Sequence, residues 1–332
     1  MMWKKLYPPL ILILLLSVCP VLAQERQAKK IFAIGVTQFN SSEASEKDQK
    51  GFEKALADAG FKEKVHVIYD RQNAQENLTK AQAIALKFLS KKLDLIHAIG
   101  SPTSRAVVKL IEEIPVVFSS VNHPVEAGLV PKTSLPGTKS GTNVTGVSHR
   151  WPISRQLERY SQFLPKAKKW GTIYPQGDSY TLALIKEMRE AARRLGIELV
   201  EAVISNSEET LQAASFLAGK VQAFYITYDE TVLSSMDAVV KVCNEQKVPL
   251  FTSDLESVAK GAIAAYGLNF YLIGYSAGKK AARVLRGEEP GNIPWGRAEK
   301  LHLVLNEQAA KAQGVILSPE LLKRSDKIIA QE

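Results

Sequence analysis

Short apolar runs that give way to small polar residues and then to amphipathic helical stretches recur along this chain, and they restrict it to one kind of architecture. The segment from Leu93 to Val130 shows the pattern most fully. Leu95-Ile96-His97-Ala98-Ile99 suits a strand buried on both faces. Gly100-Ser101-Pro102-Thr103-Ser104 supplies a turn and a helix start. Arg105 to Ile114 carries apolar residues at 106, 107, 110, 111 and 114, the spacing of one helix face. Pro115 stops that helix, and Val116-Val117-Phe118 is the next strand. Two strands therefore end in small polar residues, Gly100-Ser101 and Ser119-Ser120-Val121-Asn122. In open α/β sheets small ligands sit at the carboxyl ends of strands.

The same succession precedes this segment. Ile31 to Val36 reads as a strand, Ser42 to Ala59 as a helix, Val65 to Tyr69 as a strand and Asn73 to Ser90 as a helix. Strands alternating with helices at this spacing give right-handed βαβ units and a parallel sheet. Pro131 to Thr145 is a Pro/Gly/Ser/Thr-rich loop, and residues 146–152 read as a crossing between lobes. The pattern then restarts, with strands at Lys169–Tyr174, Ile197–Ile204, Ala223–Thr227 and Val248–Phe251 separated by helices. A strand at Ala262–Gly267 and a helix from Tyr271 to Arg286 follow. In that helix Gly274 and Gly278 allow close backbone packing. Glu288 to Arg297 reads as a return crossing, Leu301 to Leu305 as a last strand, and the tail from Pro319 to Ile329 as a short helix.

At 332 residues the chain exceeds one ordinary core. The expectation is an α/β chain of two Rossmann-like lobes with parallel central sheets joined by a hinge. Lobe one spans 28–147, with about 255–288 returning to it. Lobe two spans 148–254, with about 298–330 returning to it.

The first residues read differently. Lys4 and Lys5 precede an apolar core from Leu10 to Val18, and Val21-Leu22-Ala23 offers small residues before Gln24. That is a secretory signal peptide with cleavage after Ala23, over residues 1–23. The apolar run is shorter than the roughly 20 residues a membrane span needs. Leu16-Ser17-Val18-Cys19 is a poor lipobox match, so an exported, periplasmic protein is expected in preference to a form lipid-anchored at Cys19. With Cys19 removed, Cys243 stands alone on an apolar helix face and reads as a buried, inert thiol. The formal charge of +9 includes Lys4 and Lys5, and the remaining basic residues are scattered. Scatter and export argue against nucleic acid as a partner.

There is no H-E-x-x-H, C-x-x-C or P-loop spacing. Gly100-Ser101-Pro102 lacks a base at a defensible spacing. The histidines at 66, 97, 123, 149 and 302 show no metal-ligand pattern. The chain is read as non-enzymatic, with no metal and no cofactor. Small polar and aromatic residues at strand ends remain as ligand-binding candidates. They are Gln38, Ser101, Thr103, Ser120, His123 and Asn143 in the first half, and Tyr174, Ser179, Tyr228, Asp229 and Asp254 in the second. Two facing sheets presenting these ends would form an interlobe cleft. Ser101, Thr103 and Ser120 near a helix start suit a carboxylate. Asp229, then Asp254, suits an ammonium group, and Tyr174 and Tyr228 suit an apolar portion.

Several segments taken together carry a family resemblance: Ile34-Gly35-Val36-Thr37-Gln38, Ala98-Ile99-Gly100-Ser101-Pro102-Thr103-Ser104, Ile114-Pro115-Val116-Val117-Phe118 and Asn143-Val144-Thr145-Gly146-Val147-Ser148. Further on stand Ser253-Asp254, Gly261-Ala262 with Tyr266-Gly267, and Gly314-Val315-Ile316-Leu317-Ser318-Pro319. The chain resembles the substrate-binding proteins of ABC importers in the tryptophan/tyrosine-binding family, over about residues 30–328. The resemblance implies a type I periplasmic-binding-protein fold, a monomer, and capture of a small amino-acid-like ligand, with an aromatic amino acid as first guess. It also implies delivery to an ABC permease and its ATPase. A sensor that signals to a membrane receptor is the alternative. Two segments depart from relatives: Asn40-Ser41-Ser42-Glu43 replaces a His-Pro-type segment, and His123 stands before Pro124 where an Asp is usual. A His there would favour a more acidic ligand, or none of the amino acids.

Overall fold

The computed structural model describes residues 30–177, 179–298 and 300–330. The signal-peptide and Cys19 readings lie outside the described residues. The chain begins β1 (Phe32–Gln38), α1 (Glu43–Asp58), β2 (Val67–Asn73), α2 (Leu78–Leu89), β3 (Leu95–Ile99), α3 (Ser101–Leu110), β4 (Val116–Val121) and β5 (Val144–Ser148). It crosses over and continues α4 (Ile153–Ser161), β6 (Lys169–Pro175), α5 (Ser179–Leu195), β7 (Glu198–Ile204), α6 (Thr210–Ala218), β8 (Ala223–Ile226), α7 (Glu230–Leu233), α8 (Met236–Gln246), β9 (Leu250–Thr252), α9 (Ser257–Lys260) and β10 (Ala264–Leu268). It then returns with α10 (Phe270–Leu285) and β11 (Gly296–Arg297). Last come β12 (Leu301–Asn306), α11 (Glu307–Ala312), α12 (Pro319–Lys323) and β13 (Lys327–Ile329).

Two sheets result. The first runs β11-β5-β4-β3-β1-β2 and is parallel throughout. The second runs β13-β12-β10-β9-β8-β6-β7. It is parallel except that β12 lies antiparallel to β10, a departure from the all-parallel expectation. Such an edge reversal is common on otherwise parallel sheets. Strands β3 and β5 are buried along their whole length, as expected where a parallel sheet is covered on both faces.

The return to the first lobe begins later than expected. Residues 255–268 stay with the second sheet, because β10 pairs with β9 and β12. The returning pieces are α10 and β11. The Pro319–Ile329 tail is also not one helix: α12 stops at Lys323, and Lys327–Ile329 adds an edge strand beside β12. Asp326 holds that turn by accepting from the Leu303 amide at 2.9 Å.

Helix α1 starts at Ser42, whose hydroxyl accepts from the Ser45 amide at 3.4 Å, with Glu43 and Glu46 in the positive first turn. Its buried face carries Phe52, Ala55 and Leu56. It packs on α10 with backbone against backbone. A methyl group at Gly274 would lie 1.8 Å from the Asp48 carbonyl oxygen, and one at Gly51 would lie 2.0 Å from that of Tyr271. Those two glycines set the helix separation and seat α10 on the first lobe. Cys243 is buried in α8, and desolvation pushes its thiol up to about 12, so it stays protonated.

Candidate functional site

The chain passes between the sheets after β5, after β10 and after β11. The first passage, 149–152, is extended, so alternate side chains point opposite ways. His149 and Trp151 face a cavity of about 620 Å³ between the lobes, whereas Arg150 and Pro152 face a different cavity behind them. The interlobe cavity falls within the usual range for small-molecule sites.

Its floor is aromatic. Trp151 stacks on Tyr228 with ring centroids 4.9 Å apart and planes 15° apart. Phe270, the first residue of α10, meets both rings edge-on or tilted, at 6.0 and 5.8 Å. His149 stands edge-on to Trp151 and Phe270. Burial pushes its imidazole down to about 3, with the charge of His123 a lesser cause, so it is neutral near pH 7. Its Nδ1 is buried and has no hydrogen-bond partner among the described residues.

The walls are polar and come from both lobes. The start of α3 presents Gly100 and Pro102, and no side chain caps this helix, so its first amides face outward with the positive end of the helix dipole. Ser120 sits at a bulge in β4 with φ 53°, a left-handed conformation. Its hydroxyl donates to Asp48. Asp48 is fully buried and also accepts from Ser119 at 2.7 Å, and Ser119 bonds His97 Nε2 at 2.8 Å. His97 in turn stacks on Phe52 at 3.7 Å. This buried network fixes the wall that Ser120 forms.

Opposite, Asp229 and Glu230 open α7. Asp229 is fully engaged: one oxygen caps the Thr231 and Val232 amides, and the other accepts from Thr181 at 2.8 Å. Glu230 reaches water at the cleft rim, yet enough protein surrounds it that desolvation raises its carboxyl above the ordinary value, aided by the charge of Glu76. The lobes touch here. Asn40 donates to Glu230 at 2.7 Å, Tyr180 donates to Asn122 at 3.0 Å, and Lys47 pairs with Glu256. A smaller cavity of about 250 Å³ adjoins, with Asp254 and Lys47 in its wall.

The sequence candidates divide accordingly. Ser120, Tyr228 and Asp229 line the main cavity, and Asp254 lines its neighbour while accepting from the Ser257 amide at 2.9 Å. The others lie elsewhere. Thr103 donates back to Ile99 at 2.6 Å, inside the fold. Asn143 donates to the carbonyls of Ile111 and Ile114 and ties the end of α3 to β5. Tyr174 donates to Glu201 at 2.7 Å, away from the cleft. Ser101 faces an outer groove between α2 and α3. His123 is 47% exposed and pairs loosely with Glu126, outside the cleft wall. Gln38 ends β1 with a buried Oε1 that has no partner among the described residues. The side chain of Ser179 lies outside the described residues. Sequence reasoning missed His149, Trp151, Phe270, Asn122 and Glu230, and reached Asn40 only as part of the 40–43 departure. The one available signal was their place at crossings and strand ends.

Comparison with known proteins agrees with this geometry. The family model described as ABC transporter substrate binding protein matches residues 33–329. A tyrosine-binding protein of Clostridioides difficile is 38% identical over 289 residues, covering 87% of this chain and 83% of its own. The structure of an ABC domain in complex with L-Trp from Streptococcus pneumoniae superposes with a TM-score of 0.77 at 25% identity, covering 90% of this chain and 100% of that one. The ligand-free, open structure of a substrate binding protein with adhesive properties from Clostridium difficile gives 0.75 at 34% identity, covering 91% and 100%. Type I periplasmic-binding proteins share the same layout of two sheets. Their family is one of solute binding, not of catalysis. With two lobes, a chain that crosses between them and a cavity at the crossing, this chain belongs to the ABC transporter substrate-binding proteins.

Proposed function

We propose that the protein is exported, captures an amino acid with an aromatic side chain between its lobes, and hands it to an ABC permease. The observation that carries this reading is the aromatic floor of His149, Trp151, Tyr228 and Phe270 set between polar walls of opposite character. Burying a ring of about 200 Å² yields roughly 5 kcal/mol. Micromolar affinity takes about 8 kcal/mol net of ordering costs. Charge-assisted hydrogen bonds, at about 1.5–3 kcal/mol each, supply the difference.

The uncapped start of α3 suits the ligand carboxylate. Glu230 suits the ammonium group better than Asp229. Asp229 spends both oxygens on buried donors of its own lobe, whereas Glu230 stands exposed at the rim, accepts from Asn40 across the lobes and has its carboxyl raised by desolvation. A neutral His149 adds one hydrogen-bonding atom beside the ring, suited to a phenol or an indole N–H. Ligand contacts drawn from both lobes favour the closed arrangement, and that difference is what a permease reads. The relative that binds tyrosine and the neighbour solved with L-Trp support the ligand class. His123 stands outside the cleft, which removes the reason to expect an acidic ligand.

The test is a thermal-shift screen of amino acids beside acidic solutes and sugars, followed by mass spectrometry of whatever copurifies. Tyrosine, tryptophan or phenylalanine should raise the melting midpoint in a concentration-dependent way. Stabilisation by another class alone overturns the ligand assignment. Loss of aromatic amino-acid uptake on deleting the gene tests the delivery step.

A further inference from the structure

Behind the hinge lies a second cavity, of about 470 Å³, on the opposite face of the 149–152 crossing from the aromatic floor. Arg150 and Pro152 reach it from the first crossing, Arg155 from the first turn of α4, and Arg297 from β11. Arg194 joins the rim by donating to Ser154 at 3.0 Å. Among the described residues Glu187 is the one carboxylate in the lining. It is already spent on Arg150 at 3.4 Å and on the Ser154 amide and hydroxyl. Arg155 and Arg297 have no carboxylate partner among the described residues. Pro152, at the start of α4, offers no side-chain cap. Guanidinium forks from separate segments thus converge on one recess where, among the described residues, a single carboxylate faces them.

We propose that this recess binds a phosphate-class oxyanion. Guanidinium groups present paired donors that fit phosphate oxygens in a way that ammonium groups do not. The recess is also mechanically placed. The Ala298 amide donates to the Ser148 carbonyl at 2.7 Å, so the two crossings it touches move together. An anion held between Arg155 and Arg297 braces the back of the segment whose other face carries His149 and Trp151. Its occupancy therefore shifts affinity in the cleft, and by linkage the cleft ligand shifts affinity for the anion by the same factor.

The experiment titrates the full mature protein with sodium phosphate against sodium chloride at matched ionic strength, following backbone amide shifts by NMR. Saturable binding at millimolar concentration or tighter is expected, with shifts centred on 150–155 and 297–298. The double variant Arg155→Ser/Arg297→Ser should lose at least about tenfold in affinity. Both positions are exposed and lie outside the cleft, so folding is preserved, and unchanged shifts in the remaining core amides verify that. Non-saturable shifts, or phosphate binding undiminished in the double variant, overturn the site. Binding to phosphatidylglycerol vesicles without phosphate binding also overturns it, by reducing the recess to a basic surface patch. These readouts do not depend on the cleft ligand. A separate titration of tyrosine with and without phosphate tests the coupling, and equal affinities overturn that part alone.

Discussion

Trp151 and Tyr228 stack 4.9 Å apart, one supplied by the passage between lobes and the other by the end of β8 in the second lobe. Trp151 is 1% exposed and belongs to the core, whereas Tyr228 keeps an open edge toward the cleft. The two therefore fail differently when truncated. Tyr228→Ala should leave a folded protein with affinity for an aromatic amino acid reduced about tenfold to a hundredfold, read by calorimetry. Trp151→Ala should lose about 3–5 kcal/mol of stability as well, read by urea unfolding.

Glu230 carries a pH signature. Its carboxyl is raised in the folded protein, so the folded state holds the proton more tightly than the unfolded chain does. Its contribution to stability is therefore complete below the unfolded value and is lost as pH rises through the raised one. Glu230→Gln should hold or raise the melting midpoint of the ligand-free protein at pH 7. The same change should weaken binding of an amino acid by about tenfold or more, because a charge-assisted bond goes. In the unsubstituted protein affinity should fall as pH drops through that carboxyl, and the Gln variant should flatten this slope. A lowered midpoint together with unchanged affinity would remove the assigned role.

Asp48 is buried with Ser119, Ser120 and His97 around it. Asp48→Ala leaves those groups without an acceptor and should cost about 3 kcal/mol in urea unfolding. Ser120 is held at φ 53°, where glycine is comfortable and a branched side chain is not. Ser120→Gly should thus be tolerated, while Ser120→Val should be clearly less stable than the glycine variant.

Gly274 meets the backbone of α1 directly. Gly274→Ala would place a methyl 1.8 Å from the Asp48 carbonyl, and neither backbone can give way cheaply. The variant should lose about 3 kcal/mol or fail to accumulate. The exposed Gly219, with nothing near its Cβ position, is the control and should accept alanine.

Much of this fold was legible in the sequence because burial on both faces leaves a plain mark. Leu95–Ile99 and Val116–Phe118 read as strands from short, mainly apolar runs, and Gly274 announced a close helix approach. Position in space was not legible. Thr103 and Asn143 looked like ligand groups because hydroxyls and amides at strand ends can serve a ligand or the backbone equally. Here Thr103 bonds Ile99 and Asn143 bonds Ile111 and Ile114. Ser101 was misplaced because α3 begins at once after Gly100, and the phase of that first turn aims it outward. His149, Trp151 and Phe270 were overlooked because an aromatic in a crossing has no periodicity to flag it. Only the return of the chain brings 149–151 beside 270.

The proposed function places an aromatic amino acid over Tyr228 between the lobes. Isothermal titration of the mature protein with L-tyrosine and L-tryptophan, in parallel with Tyr228→Ala, tests it most directly. Saturable one-to-one binding at about micromolar Kd or tighter is expected for at least one of them, weakened in the variant. No heat with either amino acid, or equal binding by both proteins, would contradict it.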